Sequence, residues 1–224
     1  MLKININNET SKLVSVILGT AVSNGPIPKI EDCYDPKSKE HILNGTYPTE
    51  LDMIAELGLF EDVLKKHKVK VYRPKEISDY NQIFTRDISF VIEDKIILSN
   101  MIDNRSLELS AINHIIDQIP AKNVIRLSSD CHIEGGDVIL CNDHIFIGIY
   151  SGEDYSNYIT ARTNVNAVNA LREIFPNKTI KTFELRKSNN SPKDNALHLD
   201  CCFQPLGNNK AILHPEGFLI KDEC

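Results

Sequence analysis

Apolar residues recur in the same order along two stretches of the chain: two short apolar runs joined by a polar turn, a helical pattern, and another short apolar run. The first stretch predicts a hairpin, a helix and a strand, over 88–98, 106–119 and 124–127. The second predicts the same elements over 138–149, 164–175 and 179–185. A further hairpin over 202–213 begins a third copy. The repeating unit is therefore strand, strand, helix, strand.

The chain before the repeats has a different pattern. A β-branched run from Leu13 predicts a buried strand that ends at Gly19, and a polar loop then extends from Ser23 to about Tyr47. Thr49 is placed to cap a helix, which is followed by a strand over 69–72. Because loops of this length often cover a functional site, we expect this one to do so.

An aspartate stands at the start of each hairpin, directly before its first strand: Asp87, Asp137 and Asp200. Repeats of about 50 residues indicate a radial or stacked architecture, because a single unit cannot bury its own apolar face. Register fixes the face to which each residue of a hairpin points. If the units surround an axis, the three aspartates are expected to converge on one side of the molecule.

Composition narrows the class of protein. The chain has 224 residues, 42% of them apolar, which is enough for a sizeable core. Its net charge of -6 and its lack of a long basic run argue against nucleic-acid binding. Without a signal peptide or a long apolar run, we expect a soluble, cytoplasmic protein with no membrane partner. Its six cysteines show no disulfide framework and are expected to be reduced.

The hairpin openings carry the candidate chemistry. Their sequences are Phe84-Thr85-Arg86-Asp87, Glu134-Gly135-Gly136-Asp137 and His198-Leu199-Asp200. Buried carboxylates with one histidine and a shortage of competing cations suit a guanidinium substrate. The glycine pair permits a tight bend that places Glu134 and Asp137 around one pocket. The alternative is a turn with solvated acids.

Three further side-chain arrangements each have a functional and a structural interpretation. His198 and Asp200 would share one face of a strand, so that the carboxylate holds the imidazole ready for proton transfer, or His198 is merely structural. Arg162, in Ala-Arg-Thr-Asn before a helix capped by Thr163 or Asn164, could bind a substrate carboxylate or lie at the surface. Asp87 could instead form a salt bridge with Arg86.

A metal site is a weaker hypothesis. His132-x-Glu134 and His198-x-Asp200-Cys201-Cys202 contain residue types that bind zinc, but neither has the spacing of a strong zinc motif. We therefore expect no metal. Cys33, Cys131, Cys141 and at least one of Cys201 and Cys202 are interpreted as core filling rather than as nucleophiles.

Together these motifs make the chain resemble the guanidino-group modifying enzymes, a superfamily that includes arginine deiminase, dimethylargininase and the amidinotransferases. The resemblance covers nearly the whole chain in the same order and spacing. It implies an α/β fold, the five-bladed α/β propeller called the pentein fold, built of strand-strand-helix-strand blades around a polar channel.

The resemblance also implies roles for the candidate residues. Asp87 and Asp200 would hold the guanidinium, and Glu134 would hold it or assist protonation. His198 would be the general acid/base, so that His198, Glu134 and Asp87 form the catalytic set. Arg162 would bind the substrate carboxylate, and Asp137, counted with the substrate-binding residues, would mainly support the glycine bend.

The implied chemistry is covalent and needs no metal or organic cofactor. A cysteine thiolate attacks the guanidinium carbon of arginine or a related compound and forms an amidino-cysteine intermediate. Water then completes a hydrolysis, or an acceptor amine completes a transfer. The sequence leaves open which of the two reactions applies.

The chain departs from the family pattern at its end, because the family nucleophile lies in a fifth-blade loop and Cys224 lacks that setting. We therefore expect residues 1–224 to form one incomplete propeller domain of about three and a half blades, inactive alone, that self-associates through an open edge. The alternative is a non-enzymatic propeller-fold binding protein or an assembly fragment.

Overall fold

The computed structural model describes residues 1–219, which form a mixed α/β structure with four small sheets. The strands are β1 (Ser15–Ile17), β2 (Lys70–Tyr72), β3 (Ser89–Ile92), β4 (Lys95–Leu98), β5 (Val124–Arg126), β6 (Val138–Cys141), β7 (His144–Ile149), β8 (Thr179–Glu184), β9 (Phe203–Gly207) and β10 (Lys210–Leu213). The α-helices are α1 (Pro36–Leu43), α2 (Glu50–Lys66), α3 (Thr85–Ile88), α4 (Asn113–Ile116) and α5 (Val165–Ile174).

The predicted repeat is confirmed in the sheets. In β3-β4-β5 and in β6-β7-β8, an antiparallel hairpin is followed by a third strand parallel to its second strand. β9 and β10 form the third hairpin, and β1 pairs in parallel with β2. The hairpins turn at residues with positive φ, including Glu93 (52°), Asn142 (55°) and Asn208 (52°). Asparagine tolerates this conformation better than most residues, which explains why these turns were visible in the sequence.

Two of the predicted helix starts are also confirmed. The Thr49 side chain accepts a hydrogen bond from the backbone N–H of Asp52, and the Asp52 carboxylate accepts one from the backbone N–H of Thr49. This reciprocal capping box begins α2. Of the two residues proposed to cap α5, Asn164 caps it, because its side chain accepts a hydrogen bond from the backbone N–H of Ala167 at 3.1 Å.

Two segments differ from the sequence prediction. The single helix expected over 106–119 is instead the 3-10 segment Glu108–Ile112 followed by the short α4, and another 3-10 segment, Asp103–Arg105, comes just before it. Tertiary contacts override helical propensity here, because the segment buries a charged pair as well as apolar side chains. The polar loop after Ser23 contains an unpredicted helix, α1, whose Asp35 cap and first-turn proline are local signals that the prediction missed.

Two apolar clusters hold the repeats together. The larger packs β6 and β7 against α5, with Ile145, Ile147 and Leu171 fully buried. The second packs β3 and β4 against the segment that contains Ile112 and Ile115. Of the helices in residues 1–219, none combines the length and the apolar character that crossing a bilayer requires.

Candidate active site

The three acidic openings are short helical turns that meet in the structure. They are Thr85–Ile88, Gly135–Asp137 and Leu199–Cys201. A Cβ atom added to Gly136 would lie 2.7 Å from His198 Nδ1 and 2.9 Å from Asp87 Oδ1. Only glycine permits so close an approach. The bend expected from the glycine pair therefore serves to bring Asp87 and His198 together across it.

Glu134 lies at the centre of this junction and is 1% exposed. Its Oε1 accepts a hydrogen bond from Arg162 Nη1 at 2.8 Å, and its Oε2 accepts from His198 Nε2 at 2.8 Å and from Arg105 Nη1 at 3.2 Å. Burial would raise the pKa of Glu134, but the His198 hydrogen bond and the charge of Arg162 outweigh it and lower the pKa to about 2. Glu134 is therefore ionised and shared among three cations.

Arg105 is a site residue that the sequence did not reveal. Its Nη1 donates to Asp87 Oδ2 at 2.8 Å, and its Nε and Nη2 bind Glu108 at 2.6 and 2.9 Å. Burial would lower the pKa of Arg105, but the Glu108 hydrogen bonds and the charges of Glu134 and Asp87 raise it. The expected shortage of competing cations is therefore wrong. Arginine and glutamate three residues apart are common on helix surfaces, so no sequence signal pointed to this role.

His198 is buried and is held between two carboxylates. Its Nε2 bonds Glu134 at 2.8 Å, and its Nδ1 lies 3.7 Å from Asp87 Oδ1. Burial would lower the pKa of His198, but the charge of Asp87 and the hydrogen bond to Glu134 raise it to about 9. The imidazole is therefore protonated at neutral pH and can donate a proton.

Asp200 does not partner His198 on a strand, as the sequence predicted. Asp200 lies in the 3-10 turn Leu199–Cys201 and not on a strand, so the two residues do not share a strand face. The partner of Asp200 is Arg86, whose Nε lies 3.1 Å from Asp200 Oδ2. The proposed Arg86–Asp87 salt bridge is thus replaced by a bridge between two openings. Burial raises the pKa of Asp200.

Asp137 is fully enclosed, and both of its carboxylate oxygens are used. Thr163 Oγ1 donates to Oδ2 at 2.6 Å, and the Leu199 backbone N–H donates to Oδ1 at 2.9 Å. Burial raises the pKa of Asp137. The solvated-turn alternative is wrong for this residue as it is for Glu134. Asp137 does not line the cavity described next, so its geometry supports the bend rather than contact with a substrate.

A cavity of about 960 Å³ lies over these groups. Part of its lining comes from site residues, namely Asp87, Arg105, Arg162, His198, Asp200 and Cys201. Much of the remaining wall comes from the segment 24–53, which contains α1 and the start of α2. The long segment that we expected to cover a functional site therefore forms one side of this cavity.

Arg162 is 2% exposed, so the surface alternative is wrong. Its Nε donates to the Ile159 carbonyl oxygen at 2.7 Å, and its guanidinium carbon lies 5.6 Å from the centre of the Tyr34 ring. Its Nη2 has no hydrogen-bond partner among residues 1–219. A buried donor without a partner is costly, so this nitrogen is suited to an anionic ligand group.

Asp87, Glu134 and His198 could also be considered as metal ligands, because one polar atom from each lies within 4.8 Å of the others. Arg105 Nη1 already bridges Asp87 and Glu134. His198 Nε2 is likewise already hydrogen-bonded to Glu134 at 2.8 Å. The donor set therefore suits cations of the guanidinium type better than a metal ion.

Comparisons with known proteins give the family. The family model for arginine deiminase matches residues 64–220. The chain belongs to the arginine deiminase family. A relative from Bacillus subtilis (strain 168), the uncharacterized protein YkgA, is 31% identical over 158 residues, or 70% of this chain and 49% of that protein. The chain thus spans about half the length of this relative.

Solved structures of guanidino-modifying enzymes share the fold of this family member. The amidinotransferase SxtG from Microseira wollei has a TM-score of 0.70 at 21% identity, covering 96% of this chain and 70% of that one. StrB1, the inosamine-phosphate amidinotransferase of Streptomyces griseus, has a TM-score of 0.69 at 14% identity, covering 97% and 71%. DDAH from Pseudomonas aeruginosa, complexed with citrulline, has a TM-score of 0.64 at 16% identity, covering 90% and 69%. The predicted pentein fold is confirmed.

Two cysteines of this arginine deiminase family member line the cavity, Cys33 and Cys201. Burial and the charge of Asp200 raise the pKa of Cys201 to about 11, and burial and Asp35 raise that of Cys33. Cys131 and Cys202 are buried, as expected for core residues. The five cysteines in residues 1–219 are free thiols, and Cys224 lies outside the described residues.

Proposed function

We propose that this protein binds the guanidino group of arginine or a related compound between Asp87 and Asp200. One observation carries the proposal: these two carboxylates line the cavity, and the Oδ1 of each has no arginine partner among residues 1–219, with His198 Nδ1 3.7 Å from Asp87 Oδ1 and Cys201 Sγ 3.7 Å from Asp200 Oδ1. Arg105 uses Asp87 Oδ2 and Arg86 uses Asp200 Oδ2. The remaining Oδ1 atoms suit the parallel N–H groups of a guanidinium.

In this proposal, Glu134 and His198 together supply the proton that the departing nitrogen takes up. Both Glu134 oxygens are occupied by cations, so Glu134 orients His198 rather than binding the substrate. When a C–N bond of the guanidino group breaks, protonated His198 gives its proton to the departing nitrogen. Arg162 binds the substrate carboxylate through Nη2, which supports an amino-acid substrate.

A cysteine thiolate would attack the guanidino carbon, as the family resemblance implies. The raised pKa values of Cys33 and Cys201 keep both thiols protonated at neutral pH, so we propose neither as the nucleophile. We accordingly expect this chain to show little turnover by itself. The related structures include amidinotransferases and a dihydrolase, so both transfer and hydrolysis are candidate reactions.

Calorimetric titration with arginine tests the guanidinium site. Asp200→Asn should weaken arginine binding about 10- to 100-fold, because a hydrogen bond to a charged group contributes about 1.5–3 kcal/mol. Asp143→Asn, an exposed acid at the β6–β7 turn, is the control and should leave binding unchanged. If the unsubstituted protein fails to bind arginine, the binding proposal is wrong.

A second titration tests the role of Arg162. Agmatine has the guanidino group of arginine but no carboxylate, so it should bind more weakly than arginine. In Arg162→Gln that preference should disappear, while melting curves report any loss of folding. An unchanged preference would exclude Arg162 as the carboxylate ligand.

Mass spectrometry tests the chemistry. After incubation with arginine, little turnover and no stable amidino adduct are expected on Cys33 or Cys201. A stable adduct on either thiol, together with turnover, would overturn the assignment of both cysteines as non-nucleophilic.

Self-association is a separate part of the proposal. β1–β2 and β9–β10 are two-stranded sheets, and every residue of β10 is exposed, including Ile212 and Leu213. Unpaired apolar strands favour pairing with another chain. Size-exclusion chromatography should show species larger than a monomer, whereas a single compact monomer would contradict this expectation.

A further inference from the structure

Two groups of residues line the cavity. One group carries the charged groups of the proposed guanidinium site. The other comes from the segment 24–53 and combines apolar and aromatic side chains with those of Asp32, Asp35, Lys37, Ser38 and His41. We call the apolar and aromatic part of this second group the outer chamber, formed by Pro28, Cys33, Tyr34, Tyr47 and Met53. The first four come from the polar segment before α2, and Met53 lies in α2.

The cavity is larger than arginine, the smallest ligand proposed above, requires. Its volume of about 960 Å³ is near the upper limit of the roughly 300–1,000 Å³ that pockets for drug-sized ligands occupy. Arginine is smaller than such a ligand, and the proposed guanidinium site together with Arg162 already binds both of its charged ends. The outer chamber is therefore space that arginine alone leaves unfilled.

The walls of the outer chamber are built on capped elements. Asp35 caps α1 by accepting from the backbone N–H groups of Lys37 and Ser38 at 2.9 and 3.1 Å. The Thr49 capping box begins α2, four residues before the buried Met53. These caps fix the backbone of the wall through contacts within the protein itself.

Tyr34 belongs to the outer chamber and also lies beside Arg162 of the proposed site. Its ring faces the Arg162 guanidinium at 5.6 Å, directly beside the proposed carboxylate ligand. Burial raises the pKa of Tyr34 to about 12, so the ring carries no charge at neutral pH. A ligand that extends from the carboxylate end of arginine would therefore meet the neutral Tyr34 ring.

We infer that the outer chamber binds a neutral, apolar group, aromatic or aliphatic, carried by a guanidino substrate larger than arginine. This inference rests on the proposed guanidinium site and adds the class of substrate. Burying a ring in an apolar chamber is favourable by about 25 cal/mol per Å² of apolar surface. A ring-bearing ligand should therefore bind more tightly than one with the same polar groups and a methyl group.

Three ligands test the inference by calorimetry: arginine, Nα-acetylarginine and Nα-benzoylarginine. The last two share every charged group and differ in the size of the apolar substituent. We expect Nα-benzoylarginine to bind at least tenfold more tightly than Nα-acetylarginine. Iodoacetamide should also label Cys33 more slowly in the presence of the benzoyl ligand than of the acetyl ligand.

Tyr47→Ala removes one aromatic wall and should reduce the advantage of the benzoyl ligand at least threefold, with Nα-acetylarginine binding unchanged. Phe60→Ala, an exposed aromatic on α2 outside the cavity, is the matched control. If the two acyl ligands bind equally and protect Cys33 equally, the outer chamber inference is wrong while the guanidinium site stands. If none of the three ligands binds, the proposed function fails and this inference fails with it.

Discussion

In the floor of the site, formed by Asp87, Arg105, Glu134, Asp137 and His198, almost every polar atom has a partner and every side chain is buried. In the outer chamber, the side chains are mostly apolar and only partly buried. This difference indicates that substitutions in the two regions have different consequences. Altering the floor should affect folding and chemistry together, whereas altering the chamber should change ligand choice alone.

The reason lies in the cost of burying charge. A buried ion without its partner is strongly destabilising, so the floor behaves as one unit. An apolar wall has no such requirement, because a lost side chain removes only its own contact area.

The largest effect is expected for Glu134→Gln. The substitution removes the charge that Arg105, Arg162 and His198 share, and breaking a buried ion pair typically costs about 3–5 kcal/mol. Urea unfolding should show this loss in the free energy of unfolding. Glu153→Gln, an exposed glutamate, should change it by less than about 0.5 kcal/mol. Equal stability of the two variants would show that the floor is not a unit.

The next effect concerns pH. The folded pKa of His198, about 9, lies above the ordinary value of 6.5, so its stabilisation is complete below pH 6.5 and is lost as pH rises through 9. The loss is on the order of 3 kcal/mol. Urea unfolding between pH 6 and 10 should show it in the unsubstituted protein. In His198→Asn this component should be absent, and parallel profiles for the two proteins would contradict the assigned pKa.

A smaller effect is expected for Gly136→Ala. The added methyl would crowd His198 and Asp87, and overpacking of this kind costs about 1–3 kcal/mol. Arginine affinity should fall because Asp87 must shift. Gly58→Ala, where an added methyl meets no atom within 4 Å, is the control. Unchanged arginine affinity in Gly136→Ala would argue against a binding role for Asp87.

The smallest effect is expected for Thr49→Ala. Loss of the α2 cap should cost about 1 kcal/mol of folding free energy. The cap supports the outer chamber and not the floor, so arginine binding should be unchanged while the benzoyl ligand loses part of its advantage. A loss of arginine affinity equal to that of the benzoyl ligand would show that the two regions are coupled.

Local patterns predicted the hairpins, the caps at Thr49 and Asn164, and the three acidic openings, because each depends on neighbouring residues in the sequence. The exception was the strand assigned to His198 and Asp200. Alternation predicted a shared face, but packing of the turn against Asp137 draws Leu199 into a 3-10 conformation. The helix predicted over 106–119 was also wrong, because its apolar spacing is equally compatible with a helix that is interrupted.

The sequence by itself determined the repeat, the residue types at each opening and the candidates proposed to bind a guanidinium. Only the tertiary structure decided which of those residues contact one another and which other residues join them. Arg105 reaches Glu134 from 29 positions away in the chain, and Glu134 reaches His198 from 64. Such partners are chosen by packing, because a buried carboxylate takes whichever cations the fold places within hydrogen-bond distance, and sequence spacing carries no record of that distance.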